Sequence, residues 1–139
     1  MSIVTSIMRL QQVFLTQANN ILRPFGLTFA RYEVLMLLTF SSQGSMPLGK
    51  MGERLQVNAA SVTNLVDRLV TQGLVTKSPN PDDGRGTLAH LTAAGREAAQ
   101  QATKVMNAQL FADLGPEGVV LEELFEVLGA IRQAAGDFE

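Results

Sequence analysis

The stretch PLGKMGERLQVNAASVTNLVDRLVTQGLVTKSPNPDDGRGTLAHLT, residues 47–92, decides the fold of this chain. Its first part predicts a short helix over residues 48–55 and a second helix over residues 59–72, joined by a tight turn. Asn58 is placed to cap the second helix at its N-terminus, and Gly73 to end it, because these residue types satisfy the unpaired backbone groups of helix ends. Two short helices joined in this way form a helix-turn-helix.

The second part of the stretch predicts a β-hairpin directly after the second helix. The segments LVTK, residues 74–77, and TLAHL, residues 87–91, have the composition of short strands. Between them, SPNPDDGRG, residues 78–86, is a run of turn-forming residues that cannot be helical. We therefore expect a hairpin with a long polar tip, and a helix-turn-helix followed by such a hairpin is a winged helix-turn-helix.

The second helix presents short polar side chains on one face. Its apolar residues recur at the spacing of a single buried stripe, which comprises Val62, Leu65, Val66, Leu69 and Val70. Asn64 lies at the centre of the opposite face, Ser61 and Thr63 flank it, and Arg68 follows one turn later. An α-helix fits the major groove of DNA, where asparagine can bond both polar atoms of an adenine edge. These four side chains are therefore candidate DNA contacts, the alternative being an ordinary solvated helix face.

Arg85 gives the hairpin tip its positive charge. It is the only cation in the sequence between Lys77 and Arg96. The minor groove of DNA has a negative potential that attracts inserted arginine side chains. We therefore expect Arg85 to enter the minor groove beside the major groove that the second helix occupies.

Helices are also predicted on both sides of the winged segment. Apolar periodicity favours helices over residues 2–22, 29–40 and 93–114 and a last helix ending near residue 135, with Gly115-Pro116 separating the last two. The first and last helices carry apolar seams, formed by Ile3, Ile7, Leu10, Phe14 and Ile21 and by Leu121, Leu124, Phe125, Leu128 and Ile131. Because these apolar seams are expected to be buried against another molecule, we expect a two-fold homodimer, which also doubles the number of DNA contacts. The fold class is mainly α with a small β-hairpin wing.

Composition narrows the function classes. The 139 residues suffice for one domain, and they include no cysteine and one histidine, His90, which is expected to be structural. Thiol chemistry, imidazole-built metal sites, a cofactor and an enzyme activity are therefore not expected. The net charge is −2, but residues 1–44 and 45–96 carry +2 each and residues 97–139 carry −6, which permits a DNA-binding face on an acidic protein. No signal peptide or apolar run of membrane length is apparent, so we expect a cytoplasmic protein that does not bind membranes.

Residues 26–95 resemble the MarR family, the multiple-antibiotic-resistance-type regulators. The segment GLTFARYEVLMLL is similar to the family's entry into its second helix, and MPLGKMGERLQVNAASVTNLVDRLVTQGLV to its helix-turn-helix. The family's wing signature is Asp-x-Arg followed by a strand that ends in Leu-Thr-x-x-Gly. The corresponding residues here are Asp83, Arg85, Leu91, Thr92 and Gly95.

The resemblance implies a dimeric transcription regulator, usually a repressor, that binds double-stranded DNA at a pseudo-palindromic operator. It implies that the terminal helices interlock, that the wing arginine, here Arg85, enters the minor groove, and that the wing aspartate, here Asp83, braces it. Asp83 is close enough in sequence for a bidentate pair with the guanidinium group. The chain departs from the family at Lys77 and Asn64, where arginine is frequent, and at Gly84, where a second wing arginine is common.

We therefore expect a single domain, residues 1–139. It comprises a winged helix-turn-helix, residues 28–95, and a helical dimerisation region, residues 1–27 and 96–139. Many relatives bind a small aromatic or anionic ligand between these two parts. The residues considered for such a ligand are Phe14, Phe29, Arg31 and Tyr32, the alternative being that they are core and surface residues. A winged-helix protein-interaction module that does not bind DNA is the alternative function, favoured by the acidic overall charge and the single wing arginine.

Overall fold

The computed structural model describes residues 2–112, 114 and 120–137. The elements in chain order are α1 (Ser2–Leu22), α2 (Phe29–Phe40), β1 (Ser45–Pro47), α3 (Leu48–Leu55), α4 (Ala59–Thr71), β2 (Val75–Asn80), β3 (Asp83–Leu91), α5 (Ala93–Met106) and α6 (Leu121–Ala134). Helices α3 and α4 form the helix-turn-helix, and β2 and β3 form the wing. The predicted class, mainly helical with a small β wing, is confirmed.

Side-chain caps determine where α2, α4 and α5 begin, as the sequence predicts for α4. The Asn58 side chain accepts a hydrogen bond of 2.8 Å from the backbone N–H of Ser61 in the first turn of α4. Thr28 and Thr92 cap α2 and α5 in the same way. Such caps satisfy backbone donors that the first helical turn leaves unpaired, so the start of α4 is set by its local sequence.

Hydrogen bonds connect the end of α4 to the start of α5. Gly73, with a φ angle of 76°, follows α4 in the left-handed conformation, and its N–H group and that of Leu74 bond back to the carbonyls of Val70 and Leu69 at 3.0 Å each. The Thr92 hydroxyl donates to the Gly73 carbonyl at 2.8 Å, and the Thr92 backbone N–H donates to the Leu74 carbonyl at 3.1 Å. Because Thr92 also caps α5, one residue sets the position of α5 relative to α4.

The predicted hairpin is formed by β2 and β3, and it belongs to a three-stranded antiparallel sheet in the order β1-β3-β2, whose strand β1 was not predicted. Residues 45–47 pair with the end of β3, and a strand of three residues is too short to show a pattern in the sequence. The predicted long polar tip over residues 78–86 is wrong, because both strands extend into it and only Pro81 and Asp82 separate them. Strand pairing overrides turn propensity here, since Pro79 lies on the edge strand β2, where proline is tolerated.

Helix α5 is shorter than predicted. We expect one regular helix over residues 93–114, but the α-helix ends at Met106 and the chain continues as a π-helical turn, Asn107–Phe111. A π turn adds one residue to a helical turn, and the periodicity of apolar residues does not reveal it. The predicted break at Gly115-Pro116 lies outside the described residues.

The hydrophobic core forms around α2. Its Val34, Leu35 and Leu38 are fully buried and belong to one apolar cluster with residues from α1, α4, α5 and the sheet. The fully or almost fully buried members from α4 are Val62, Val66 and Leu69. Burial of this stripe directs the opposite face of α4 to the solvent.

Most side chains of the apolar seams of α1 and α6 are exposed in the part of the chain that the structure describes, whereas Ile21 packs against the core. Helix α6 has no buried residue among those described, and Phe125 is 74% exposed. The exposed seam residues are Ile3, Ile7, Leu10, Phe14, Leu121, Leu124, Phe125 and Ile131. Apolar surface of this extent usually marks a place where another molecule binds. Within the described residues, no helix is long and apolar enough to cross a membrane.

Candidate nucleic-acid interface

The solvent face of α4 carries the residues predicted for base contact. Thr63, Asn64 and Arg68 are exposed, and Ser61, whose backbone N–H is used by the helix cap, is half-buried. At 100° per residue, Asn64 lies on the side of the helix opposite the buried stripe. The side chains on this face are short and polar near the helix N-terminus, which is the chemistry that reads base edges in a major groove.

Arg85 lies on an irregularity of the wing. The register of β2 and β3 shifts between Pro79 and Asn80, and residues 84–86 of β3 have no partner on β2. Extra residues in one strand form a bulge, which bends the strand and redirects its side chains. A glycine stands on each side of Arg85, and the arginine is exposed. The wing therefore presents its single tip cation to solvent.

Asp83 contacts the main chain of the bulge. Its Oδ1 accepts a hydrogen bond of 3.1 Å from the backbone N–H of Arg85. No ion pair joins the two side chains within the described part of the chain, so the bidentate pair considered from the sequence is not formed in this structure. A Cβ atom at Gly86 would lie 3.3 Å from Asp83 Oδ2, so the glycine leaves room for the carboxylate. The link between Asp83 and Arg85 runs through the backbone.

An ion pair that the sequence did not reveal joins α4 to the wing. Lys77 Nζ, on β2, bonds Asp67 Oδ1, on α4. Sequence reasoning missed it because the pairing depends on how the strand crosses the helix. Lys50 and Arg54 on α3 are also exposed. The sequence analysis did not single out these two cations, and only the net positive charge of residues 45–96 pointed to them.

His90 is structural, as predicted. Its Nδ1 lies 2.7 Å from Ser45 Oγ on β1, and its Nε2 lies 2.6 Å from Ser78 Oγ on β2. One imidazole ring therefore connects all three strands of the sheet. Both of its nitrogens are engaged within the protein.

The residues considered for a ligand are engaged within the protein, apart from Phe14, which lies on the exposed seam of α1. The rings of Phe29 and Tyr32 are 6.2 Å apart, but Tyr32 is buried and its hydroxyl lies 2.7 Å from Thr103 Oγ1. Arg31 donates at 3.2 Å to a glutamine side chain just beyond α4. Two surface grooves, of about 450 Å³ between α3 and α4 and about 320 Å³ between α2 and α5, are lined by other residues.

Similarity to known proteins covers the winged segment and extends beyond it. The MarR family model matches residues 27–87. The structure of Sco5413, a MarR family transcriptional regulator from Streptomyces coelicolor, superposes with a TM-score of 0.90 at 49% sequence identity, over 99% of this chain and 96% of that protein. A mutant of MarR from Escherichia coli, complexed with operator DNA, superposes with a TM-score of 0.75 at 25% identity, over 92% of this chain and 94% of that protein.

Curated relatives match a shorter part of their own length. The multiple antibiotic resistance protein MarR of Escherichia coli strain K12 is 30% identical over 96 residues, which are 69% of this chain and 65% of that protein. The chain spans between about half and two thirds of the length of the curated relatives that it matches first.

Proposed function

This chain belongs to the MarR family of transcriptional regulators, and on that premise we propose that it binds double-stranded DNA as a homodimer and represses the genes whose operators it occupies. Its relatives are regulators, and the family is not enzymatic. In this proposal residues 28–95 bind DNA, and residues 1–27 and 96–139 form the dimer. The DNA-contacting side chains are Ser61, Thr63, Asn64, Arg68 and Arg85.

One observation carries the proposal. The capped N-terminal half of α4 exposes a polar face around Asn64, and the wing next to it exposes Arg85 on a glycine-flanked bulge. A helix for the major groove beside an arginine for the minor groove is the arrangement that base and shape readout require. The operator complex of the E. coli MarR mutant supports the same use of this fold.

The uncovered seams of α1 and α6 support the homodimer. A two-fold axis that brings these seams against their copies removes apolar side chains such as Phe125 from water and presents two copies of α4 to one DNA duplex. The two copies then read half-sites related by the same two-fold symmetry. The operator is therefore expected to be an inverted repeat.

Selection of bound duplexes from a random-sequence library, followed by footprinting, tests this function. We expect an inverted repeat whose half-sites lie about one helical turn, roughly 10 bp, apart. Binding should weaken steeply as salt rises, because phosphate contacts release counterions. A single asymmetric half-site would contradict the dimeric reading. Failure to bind any duplex at low salt would favour the alternative function, a protein-interaction module.

Ligand response is a finer part of the proposal. At the start of α2, a small aromatic anion would meet the partly exposed Phe29 ring and the Arg31 guanidinium group. The buried Tyr32 ring lies 6.2 Å from that of Phe29, and Phe14 is the fourth candidate. Binding there requires Arg31 to give up its contact with Gln72. A thermal-shift screen of aromatic carboxylates on the wild type and on Arg31→Ala tests it. A stabilisation that Arg31→Ala abolishes supports the site, and an equal shift in both proteins contradicts it.

A further inference from the structure

Asp67 places a negative charge on the part of the protein that is proposed to face DNA. It follows Asn64 by three residues and precedes Arg68 directly, and half of its side chain is exposed, at 50%. The DNA backbone is a polyanion, so an uncompensated carboxylate on this helix opposes the approach of α4. The structure contains a partner for that carboxylate.

The partner is Lys77, and its position on β2 directs it to α4. Lys77 pairs in register with Ala89, which pairs with Met46 on the next strand, and both of these residues are buried. Paired residues of antiparallel strands lie on the same face of the sheet, so Lys77 shares the core-facing side with Ala89 and with the buried Val75. From the outer end of this face, the ammonium group reaches the Asp67 carboxylate.

We propose that Lys77 is a positioning residue of the DNA interface, which acts by neutralising Asp67 so that α4 can approach the phosphates. The inference rests on the proposed DNA binding. It assigns Lys77 a role different from that of Arg85, which projects from the wing towards DNA, because the Lys77 ammonium is engaged by a carboxylate of the same chain.

The pair contributes little to folding, and this makes the inference testable. Both side chains are partly exposed, at 38% for Lys77 and 50% for Asp67, and ion pairs of this kind add little to stability. Variants at either position should therefore keep the melting temperature of the wild type. A change in DNA affinity at constant melting temperature is then an effect on the interface.

The experiment measures affinity and its salt dependence for a duplex selected by the wild type, using Lys77→Gln, Asp67→Asn, the double variant and Lys77→Arg. Lys77→Gln uncovers Asp67 and should weaken binding about tenfold. The double variant has no charge at either position and should return to within about twofold of the wild type with the same salt slope. Lys77→Arg retains the positive charge and should bind as the wild type does. Lys104→Gln, on the exposed side of α5, is the matched control for loss of one lysine charge.

Direct contact of Lys77 with a phosphate would give a different result. If Lys77 contacts phosphate itself, the double variant stays as weak as Lys77→Gln and the salt slope falls by about one. That result overturns the inference while the proposed function stands. A wild-type protein that binds no duplex overturns the proposed function and this inference together. A fall in melting temperature in Lys77→Gln that accounts for the loss of binding would show a structural role instead and would also overturn it.

Discussion

Gly95, in the first turn of α5, packs directly against the backbone carbonyl of Leu74, just before β2. A Cβ atom at Gly95 would lie 2.1 Å from the Leu74 carbonyl oxygen and 2.8 Å from Leu91 Cδ1. The same carbonyl accepts the backbone N–H of Thr92, whose hydroxyl oxygen accepts the Gly95 N–H at 3.0 Å. Thr92 and Gly95 of the Leu-Thr-x-x-Gly sequence therefore contact the same backbone carbonyl, that of Leu74. The first turn of α5 packs against the main chain that follows α4, with no side chain between them.

Gly95→Ala is expected to lower the free energy of unfolding by about 2 kcal/mol or more, because the obstructing oxygen belongs to the backbone and cannot rotate away. Denaturant unfolding measures the change. Gly49→Ala is the matched control, since a Cβ at Gly49 meets no atom within 4 Å in α3. The free energy of unfolding of Gly49→Ala should rise by up to about 1 kcal/mol, because alanine loses less backbone conformational entropy on folding than glycine does. Equal stability of the two variants would contradict the junction as described.

Arg85→Ala is expected to weaken DNA binding strongly and to reduce the slope of log affinity against log salt by about one, because it removes the single cation of the wing tip. The side chain is exposed, so the melting temperature and the mass of the protein should stay those of the wild type. Affinity titrations at two salt concentrations give both quantities. An unchanged affinity would show that the wing does not enter the minor groove.

Asp83→Ala is expected to weaken DNA binding even though it removes a negative charge. The carboxylate accepts the backbone N–H of Arg85, so its loss frees the bulge that carries the arginine. Asp83→Asn retains an oxygen acceptor without the charge and should bind at least as tightly as the wild type. Titration of both variants against one operator decides the point. Tighter binding by Asp83→Ala would mean that Asp83 only repels phosphate.

Asn64→Ala is expected to cost about 1–3 kcal/mol on the selected operator and much less on random DNA, since a base contact is specific and a phosphate contact is not. The comparison of the two duplexes is the measurement. Thr71→Ala, on the exposed side of the last turn of α4, is a control that should leave the ratio of the two affinities unchanged. An equal loss on both duplexes would exclude base readout by Asn64.

Phe125→Glu is expected to lower the mass of the protein in solution from dimer to monomer and to weaken operator binding with it. The ring is 74% exposed in the single chain, so the substitution does not disturb the core, but a charge in the apolar seam opposes burial against a second copy. Gln133→Glu adds the same charge to an already polar, exposed position of α6 and should remain dimeric. Light scattering distinguishes the two masses, and a dimeric Phe125→Glu would contradict the seam as the interface.

Local signals predicted α1, α2, α3 and α4 and the face that α4 exposes. Asn58 and Gly73 act on backbone groups within one helical turn, so their effect is readable without knowledge of the rest of the chain. The buried stripe of α4 is equally local, because helical periodicity alone separates its two faces. The candidate base contacts around Asn64 follow from that separation.

The sequence by itself determined the order of the helices, their caps and the presence of a wing, because these depend on neighbouring residues. The tertiary structure decided which distant groups meet. Residues 45–47 become a strand only because β3 supplies hydrogen-bond partners, and the tip of the wing pairs further than its turn formers suggest. In the same way, Lys77 on β2 meets Asp67 on α4 only because the strand crosses the helix, and no local pattern encodes that crossing.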